Sequence, residues 1–440
     1  MRPLFVLVFL FAHAGAVPAA THQVGPQRPF ATLQALLGAV TLGPGDSVEV
    51  DGGQTYPGGV VVTSRGTPEA PVVIRGIPVN GQMPSLSGGT NTIEFRGARD
   101  VVLDGFDVTG GSSRCVFNVG HRITVRNALI HDCPSHGILG ADNDSGSFIL
   151  EFSEVRSCGS GTQRHPLYMQ TDEVAHPGAV VRIRHNYIHS GNGGNLLKSR
   201  AERTEVHYNW FQGARYHEVE LIGPDAFTQQ PGWSEDLVRE DHEMVGNVIV
   251  HTNTEFGSLV RLGGDGTGQS NGRYRLVHNT FVASAGSTAL RLFDGIESIE
   301  LHNNVFHRPG SGAFALMSSG DVNWTQGEQV AGTNNWIRQG TTGIPSALQQ
   351  TRLGSDPQFA DLAQLDLHPA SAASPLHDQS AVNPGPVNGF AFPGPLALPP
   401  AFSPRRARHA APLSRPSNGI PDIGALEYGV PDRVFADRFE

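Results

Sequence analysis

Short apolar runs broken by Gly, Asn and Asp recur along most of this chain. Val60-Val61-Val62, Val72-Val73-Ile74, Val101-Val102-Leu103 and Ile123-Thr124-Val125 are typical. Runs of β-branched residues this short predict strands, too brief for an ordinary sandwich. One stretch has a different period. In Phe30 to Val40, the residues Leu33, Leu36, Leu37 and Val40 recur at helical spacing, and Gly43-Pro44-Gly45-Asp46 follows. That predicts a short amphipathic helix able to plug the end of a β-stack.

A repeat sets the architecture. Arg184-His185-Asn186-Tyr187-Ile188, His207-Tyr208-Asn209-Trp210-Phe211, Val245-Gly246-Asn247-Val248-Ile249, Val277-His278-Asn279-Thr280-Phe281 and Leu301-His302-Asn303-Asn304-Val305 share one form: an apolar strand, an Asn, then apolar residues. Taking the Asn as 186, 209, 247, 279 and 303 gives intervals of 23, 38, 32 and 24. Leu103-Asp104-Gly105-Phe106 and Arg126-Asn127-Ala128-Leu129 extend it upstream. About 23 residues is one coil of a parallel β-helix, with strands stacked ~4.8 Å apart on their equivalents. Asn suits the bend because it tolerates the left-handed region. Longer intervals mark turns grown into loops, which gather on one side and build grooves. The expected fold is all-β: a right-handed parallel β-helix with a short N-terminal capping helix.

Parity then assigns faces. Most charges lie near turn residues, yet Lys198 and Arg200 sit inside Gly193 to Ala201, an otherwise small and apolar run. With Leu197 and Ser199 inward, Lys198 and Arg200 point out. Leu167 and Met169 inward put Tyr168 out. Val219 and Leu221 inward put Glu218 and Glu220 out. Val260 and Leu262 expose Arg261, and Leu290 and Leu292 expose Arg291. The expectation is one outer column: Tyr168, Lys198 with Arg200, Glu220, Arg261 and Arg291. His165, in parity with Leu167, turns inward on this scheme.

Composition narrows the class. The 440 residues include 54 Gly and 31 Pro, and only 16% are charged, which is not a helical composition. A formal charge of −10 and the lack of a dense basic patch argue against nucleic acid as partner. An anionic ligand would need a local positive site. Arg2, the apolar run Leu4 to Phe11 and small-residue sites at Ala12-His13-Ala14 or Val17-Pro18-Ala19 predict a signal peptide. No later run suits a transmembrane helix, so a secreted, periplasmic or extracellular monomer is expected. The expected divisions are 1–20 signal peptide, 21–45 cap, 46–340 β-helix, 341–430 irregular coils with a Pro-rich belt, and 431–440 tail.

Cysteine usage adds one bond. Ile130-His131-Asp132-Cys133 and Val155-Arg156-Ser157-Cys158 match at an offset of 25, one coil. Equivalent positions in adjacent coils suit a disulfide. A Cys133–Cys158 bond with Cys115 free is therefore expected, stacked thiols being the alternative.

The Pro44-Gly45-Asp46 turn, Gly66-Thr67-Pro68 leading into Pro71-Val72-Val73-Ile74-Arg75-Gly76, the Asn repeats and Asp422-Ile423-Gly424-Ala425 near the C-terminus together resemble bacterial right-handed parallel β-helix repeat proteins of the pectate-lyase-like kind. Lys198-Ser199 followed by Tyr208-Asn209 resembles polysaccharide lyases of the alginate lyase and chondroitinase B type. The chain departs from them in the next coil, where Val219-Glu220-Leu221-Ile222-Gly223 replaces an Arg-His-Gly segment. His165 and Tyr168, Lys198 to Ala201, and Glu220 resemble a further subgroup of β-helix proteins.

The resemblance implies a polysaccharide substrate cleaved by β-elimination. Arg200 would bind the sugar carboxylate and stabilise the enolate. Flanking cations would favour the neutral amine of Lys198, the base; Tyr168 or His165 would be the acid, and Glu220 would orient the cations. Arg261, Arg291, Trp233 and Tyr216 would bind substrate. The alternatives are a non-catalytic surface or adhesive β-helix that binds glycans, a salt-bridge ladder that keeps a sheet soluble, and a glycoside hydrolase drawing on the acids of Gly223 to Glu243. Ca²⁺ has two places of entry, Asp142-Asn143-Asp144 and Gly263-Gly264-Asp265-Gly266. The first is an ordinary turn sequence and the second a single copy, so no cofactor is called for.

Overall fold

The computed structural model describes residues 19–223, 239–253, 257–265, 270–283, 288–319, 324–415 and 419–429. Most of the proposed signal peptide and most of the 223–243 loop, Trp233 included, therefore lie outside the described residues. Strands stack in parallel into a solenoid with three faces. Two faces belong to one 21-stranded network, joined where the long strands Asn91–Asp104 and Arg114–Arg126 run across both. The third is a 12-stranded sheet. The core runs down the axis: Leu167, Leu197, Val219, Val260 and Leu290 line one inner face, and Ile188, Phe211, Ile249, Phe281 and Phe306 another, all fully buried.

The helix spans Leu33–Ala39, shorter than the apolar spacing suggests. Thr32 caps it by accepting the Ala35 N–H at 3.1 Å, so Phe30 lies before the first turn, and Val40 is already extended. Leu33 and Leu36 bury its apolar face against the first coils.

The Asn repeat is a buried ladder, displaced by one residue from the expected bend. Asn186, Asn209, Asn247, Asn279, Asn304 and Asn335 stack: Asn186 Oδ1 accepts the Ser153 N–H at 2.9 Å, and each later Oδ1 accepts the backbone N–H of the Asn before it at 2.9–3.0 Å. Each Nδ2 also donates to a strand carbonyl, as Asn247 does to Val206 at 2.7 Å. The left-handed residue is the one before: His185, Tyr208, Gly246, His278, Asn303 and Asn334. Asn304, not Asn303, is thus the ladder member in its coil, and Asn303 turns to the C-terminal segment through Ala381.

The disulfide joins Cys115 to Cys133, with Cα atoms 5.9 Å apart, and Cys158 is the buried free thiol. The expected Cys133–Cys158 bond is not formed. The two cysteines do follow paired strands, Ile130 facing Val155. However, Cys133 bonds back to Cys115 at the start of the strand Arg114–Arg126, and the Cys158 thiol donates to the Arg156 carbonyl at 3.2 Å.

Leu348–Gln349 and Arg352–Gly354 still add strands to the two sheets, and described residues from Phe359 onward pack along the outer face of the 12-stranded sheet. Leu367, Ala425 and Leu426 cover Trp210, Val248, Val250 and Val282, and Leu376 and Ile423 cover Val305 and Trp336. Trp210 thus serves packing. Arg415, fully buried, ties the segment together with Glu427 at 2.8 Å.

Candidate functional site

The register builds the outer column residue by residue. Tyr168 pairs with Lys198, Lys198 with Glu220, Glu220 with Arg261 and Arg261 with Arg291. The alternation predicts this because every coil keeps a buried residue inward on each side of the outward one, apolar except for Ser199. The column floors a cavity of about 680 Å³, lined also by His165, Asn195, Arg200, Tyr216, His217, Asp265 and Phe293.

Two carboxylates organise the cations. Glu220, 2% exposed, pairs with Arg261, lies 3.7 Å from Lys198 Nζ and accepts from Asn195. Burial pushes its carboxyl up, but Lys198 and Arg261 outweigh that and hold it below the usual carboxylate range. Asp265 lies 3.6 Å from Lys198 Nζ and pairs with Arg200. The charges facing Lys198 most closely are therefore carboxylates, where cations were expected. Tyr168 presents its ring 5.4 Å from Nζ.

Arg200 differs from its assigned part. It is buried, held by Asp265 and by the Gly223 carbonyl at 2.8 Å, so it braces the wall. Arg261 and Arg291 reach the cavity over the Phe293 ring, at 4.0 and 5.3 Å. Glu218 is the other departure from parity. It folds inward, fully buried, onto His251 at 3.0 Å and the Ala214 N–H at 3.1 Å, because its strand begins only at Val219. Burial pushes its carboxyl up.

A second column runs three residues ahead of the first. His136, His165, Asn195, His217 and Ser258 occupy successive coils. Each of the first four side chains accepts the next member's backbone N–H: Nδ1 of His136 at 3.2 Å, Nδ1 of His165 at 2.9 Å, Oδ1 of Asn195 at 3.1 Å and Nδ1 of His217 at 2.9 Å. A ring nitrogen that accepts a backbone N–H carries no proton, so each neutral imidazole bears its proton on Nε2. Burial lowers His165 to about 3, and His136 and His217 to about 4. His165 accordingly lines the cavity just before its strand, which begins at Leu167, neither inward in the core nor charged.

Sequence reasoning missed Asn195, His217, Asp265 and Phe293. Asn195 and His217 carried a signal: both stand two residues before an inward residue, as His165 does. Asp265 had been visible only as part of a glycine-rich turn.

The fold has solved counterparts. The pectate lyase Pel9A superposes with a TM-score of 0.53 over 94% of this chain and 97% of its own, at 13% identity. An alginate lyase from Paenibacillus sp. str. FPU-7 gives 0.43 at 16% identity, over 69% of this chain and 99% of its own. A PL6 family polysaccharide lyase from Pseudopedobacter saltans gives 0.45 at 11%, over 76% and 91%. The Pel9A likeness establishes a pectate-lyase-like parallel β-helix. No protein-family model matches the sequence, and no curated protein does. No helix among the described residues is long and apolar enough to cross a membrane.

Proposed function

We propose that the chain is a secreted polysaccharide lyase acting on uronic-acid glycans. The observation that carries this is the in-register set Tyr168, Lys198, Glu220 and Arg261 on the floor of one open cavity. Arg261 and Arg291 bind the sugar carboxylate and stabilise the enolate as the α-carbon loses its proton. Of the lysine and arginines lining the cavity, Lys198 alone has a side chain able to shed a proton, because a guanidinium stays charged. In its neutral amine form, Lys198 takes the α-proton. The electron pair forms the new double bond, the β carbon–oxygen bond breaks, and Tyr168 gives its proton to the leaving oxygen. Glu220 and Asp265 hold the cations in place. His165, neutral and already protonated on Nε2, donates a hydrogen bond and transfers no proton.

A glycan-binding β-helix without catalysis is the second reading, since the same cations would hold a polymer. A hydrolase is less well supported, because both carboxylates facing Lys198 are committed to cations, whereas that chemistry needs one carboxyl as an acid. The test is incubation with polygalacturonate, alginate, hyaluronate and chondroitin. A rise in ultraviolet absorbance from unsaturated ends on one of them, lost in Lys198→Ala, is expected. No such rise on any of them, or cleavage to saturated ends, overturns the lyase reading.

A further inference from the structure

The floor of the cavity continues past Tyr168. The same column runs back through Leu139 to Phe117, both half-buried and facing outward. Beside it stand two arginines that the proposed chemistry does not use. Arg114 heads the column of His136 and His165, and its guanidinium lies 4.3 Å over the Phe117 ring. Arg164 directly precedes His165 and reaches back one coil to Ser135 Oγ at 3.2 Å. Its neighbours Thr162, Gln163 and His165 line the cavity.

Neither arginine forms an ion pair with a described residue. Arg114 donates to Ser113 Oγ, and its Nε is buried without a partner. The nearby carboxylate, Glu94, is committed to Arg96 at 2.6 Å and Asn91 at 3.0 Å. Ladder arginines elsewhere are neutralised by an acid in an adjoining coil, as Arg122 is by Asp100, Arg182 by Glu205 and Arg273 by Asp241. Burial lowers Arg114, the Glu94 carboxylate opposes that and Arg164 adds to it; burial lowers His136, and both arginines add to the effect. In a chain of net charge −10, two arginines without an ion pair to a described residue, beside an apolar floor, suit an anion. Leu139 supplies apolar contact for a sugar, Phe117 shelves the Arg114 guanidinium, and the guanidinium forks match a carboxylate.

We propose that Arg114 and Arg164 form a distal subsite that holds a sugar carboxylate of the same polymer that crosses Lys198. The inference rests on the polysaccharide reading of the cavity. Three coil steps separate Arg114 from the Lys198 coil, about 14 Å at ~4.8 Å per step. A chain in this subsite therefore extends several sugars from the cleaved bond, and the site grips polymer better than short oligomers.

Affinity electrophoresis through gels containing polygalacturonate or alginate tests this in a Lys198→Ala background, where no cleavage interferes. Retardation by one of these polymers is expected. Arg114→Gln with Arg164→Gln should weaken it roughly tenfold or more, the loss of charge-assisted bonds to a carboxylate. Arg114→Lys with Arg164→Lys should restore part of it, and a disaccharide of the same sugar should bind equally to all forms. An unchanged melting temperature shows that the Gln variant is folded. Equal retardation of the Gln variant and its parent, or no retardation of the parent by either polymer, overturns the subsite. Retardation that depends on the two arginines, without unsaturated ends from the wild type, retains the subsite and sinks only the lyase step.

Discussion

The backbone N–H of Asn195 donates to Nδ1 of His165 at 2.9 Å, and that bond fixes both the tautomer and the charge of a histidine lining the cavity. His165→Ala leaves a buried N–H unsatisfied and should cost about 1–3 kcal/mol. Nitrogen-15 shifts of labelled histidine should report the Nε2–H form from pH 5 to 8. A titration of His165 within that window would contradict the geometry.

The same lowering makes the protein acid-labile. His165 is held at about 3, and His136, His217 and His121 at about 4, all by burial. Folded values below the unfolded 6.5 mean that the unfolded chain takes up protons first as pH falls. This part of the stability is complete above pH 6.5 and is lost between there and about pH 4 to 3. Each such group contributes a slope of up to about 1.4 kcal/mol per pH unit. Glu202, Glu218, Glu240, Glu297 and Glu427, raised by burial, act in the opposite sense but are fewer than the histidines lowered by burial, which also include His185, His242, His278, His307 and His409. Melting temperatures should fall steadily from pH 7 to 5.

Tyr168→Phe keeps the ring beside Lys198 and removes the hydroxyl. Cleavage should drop by ~10²–10⁴ in kcat, with KM little changed. A variant with wild-type kcat assigns the leaving-group proton elsewhere.

Asn247→Ala removes the acceptor for the Asn209 N–H, along with bonds to Asn279 and Val206. Several buried groups lose partners at once, so a loss of roughly 2–4 kcal/mol is expected in denaturant melts. Asn127→Ala changes a left-handed residue outside the ladder and should cost less.

Arg415→Ala strands Glu427 without its buried partner, a loss of about 3–5 kcal/mol by the usual behaviour of such pairs. Limited proteolysis should then cut within residues 384–415 well before the coils. The belt is also tied at Arg275, which donates to the Gly394 carbonyl at 3.0 Å and lies 4.2 Å over the Phe392 ring.

The stacked column was legible because strand parity is a local property. Leu197 and Ser199 inward force Lys198 outward whatever the rest of the chain does, and the same holds at Glu220, Arg261 and Arg291. What escaped depended on turns. Glu218 lies one residue before its strand, so alternation does not govern it. Cys133 chose Cys115 over Cys158 through the path of a turn that spacing cannot give. The left-handed bend falls on His185 or Tyr208 rather than the following Asn, because a side chain that bonds into the ladder must point inward. Asp265 meets Lys198 and Arg200 from a loop two coils on, and nothing local marks that approach.

The in-register stack has a consequence for how such a site can change over generations. A whole coil inserted between Tyr168 and Lys198 would lengthen the groove yet leave every side chain on its own face. A deletion of one residue within Leu197–Arg200 would send Lys198 into the core and Ser199 to solvent. Variation in coil-sized blocks is therefore cheap here and single-residue slippage ruinous, so a groove of this kind can acquire a longer substrate by duplication more readily than its chemistry can drift.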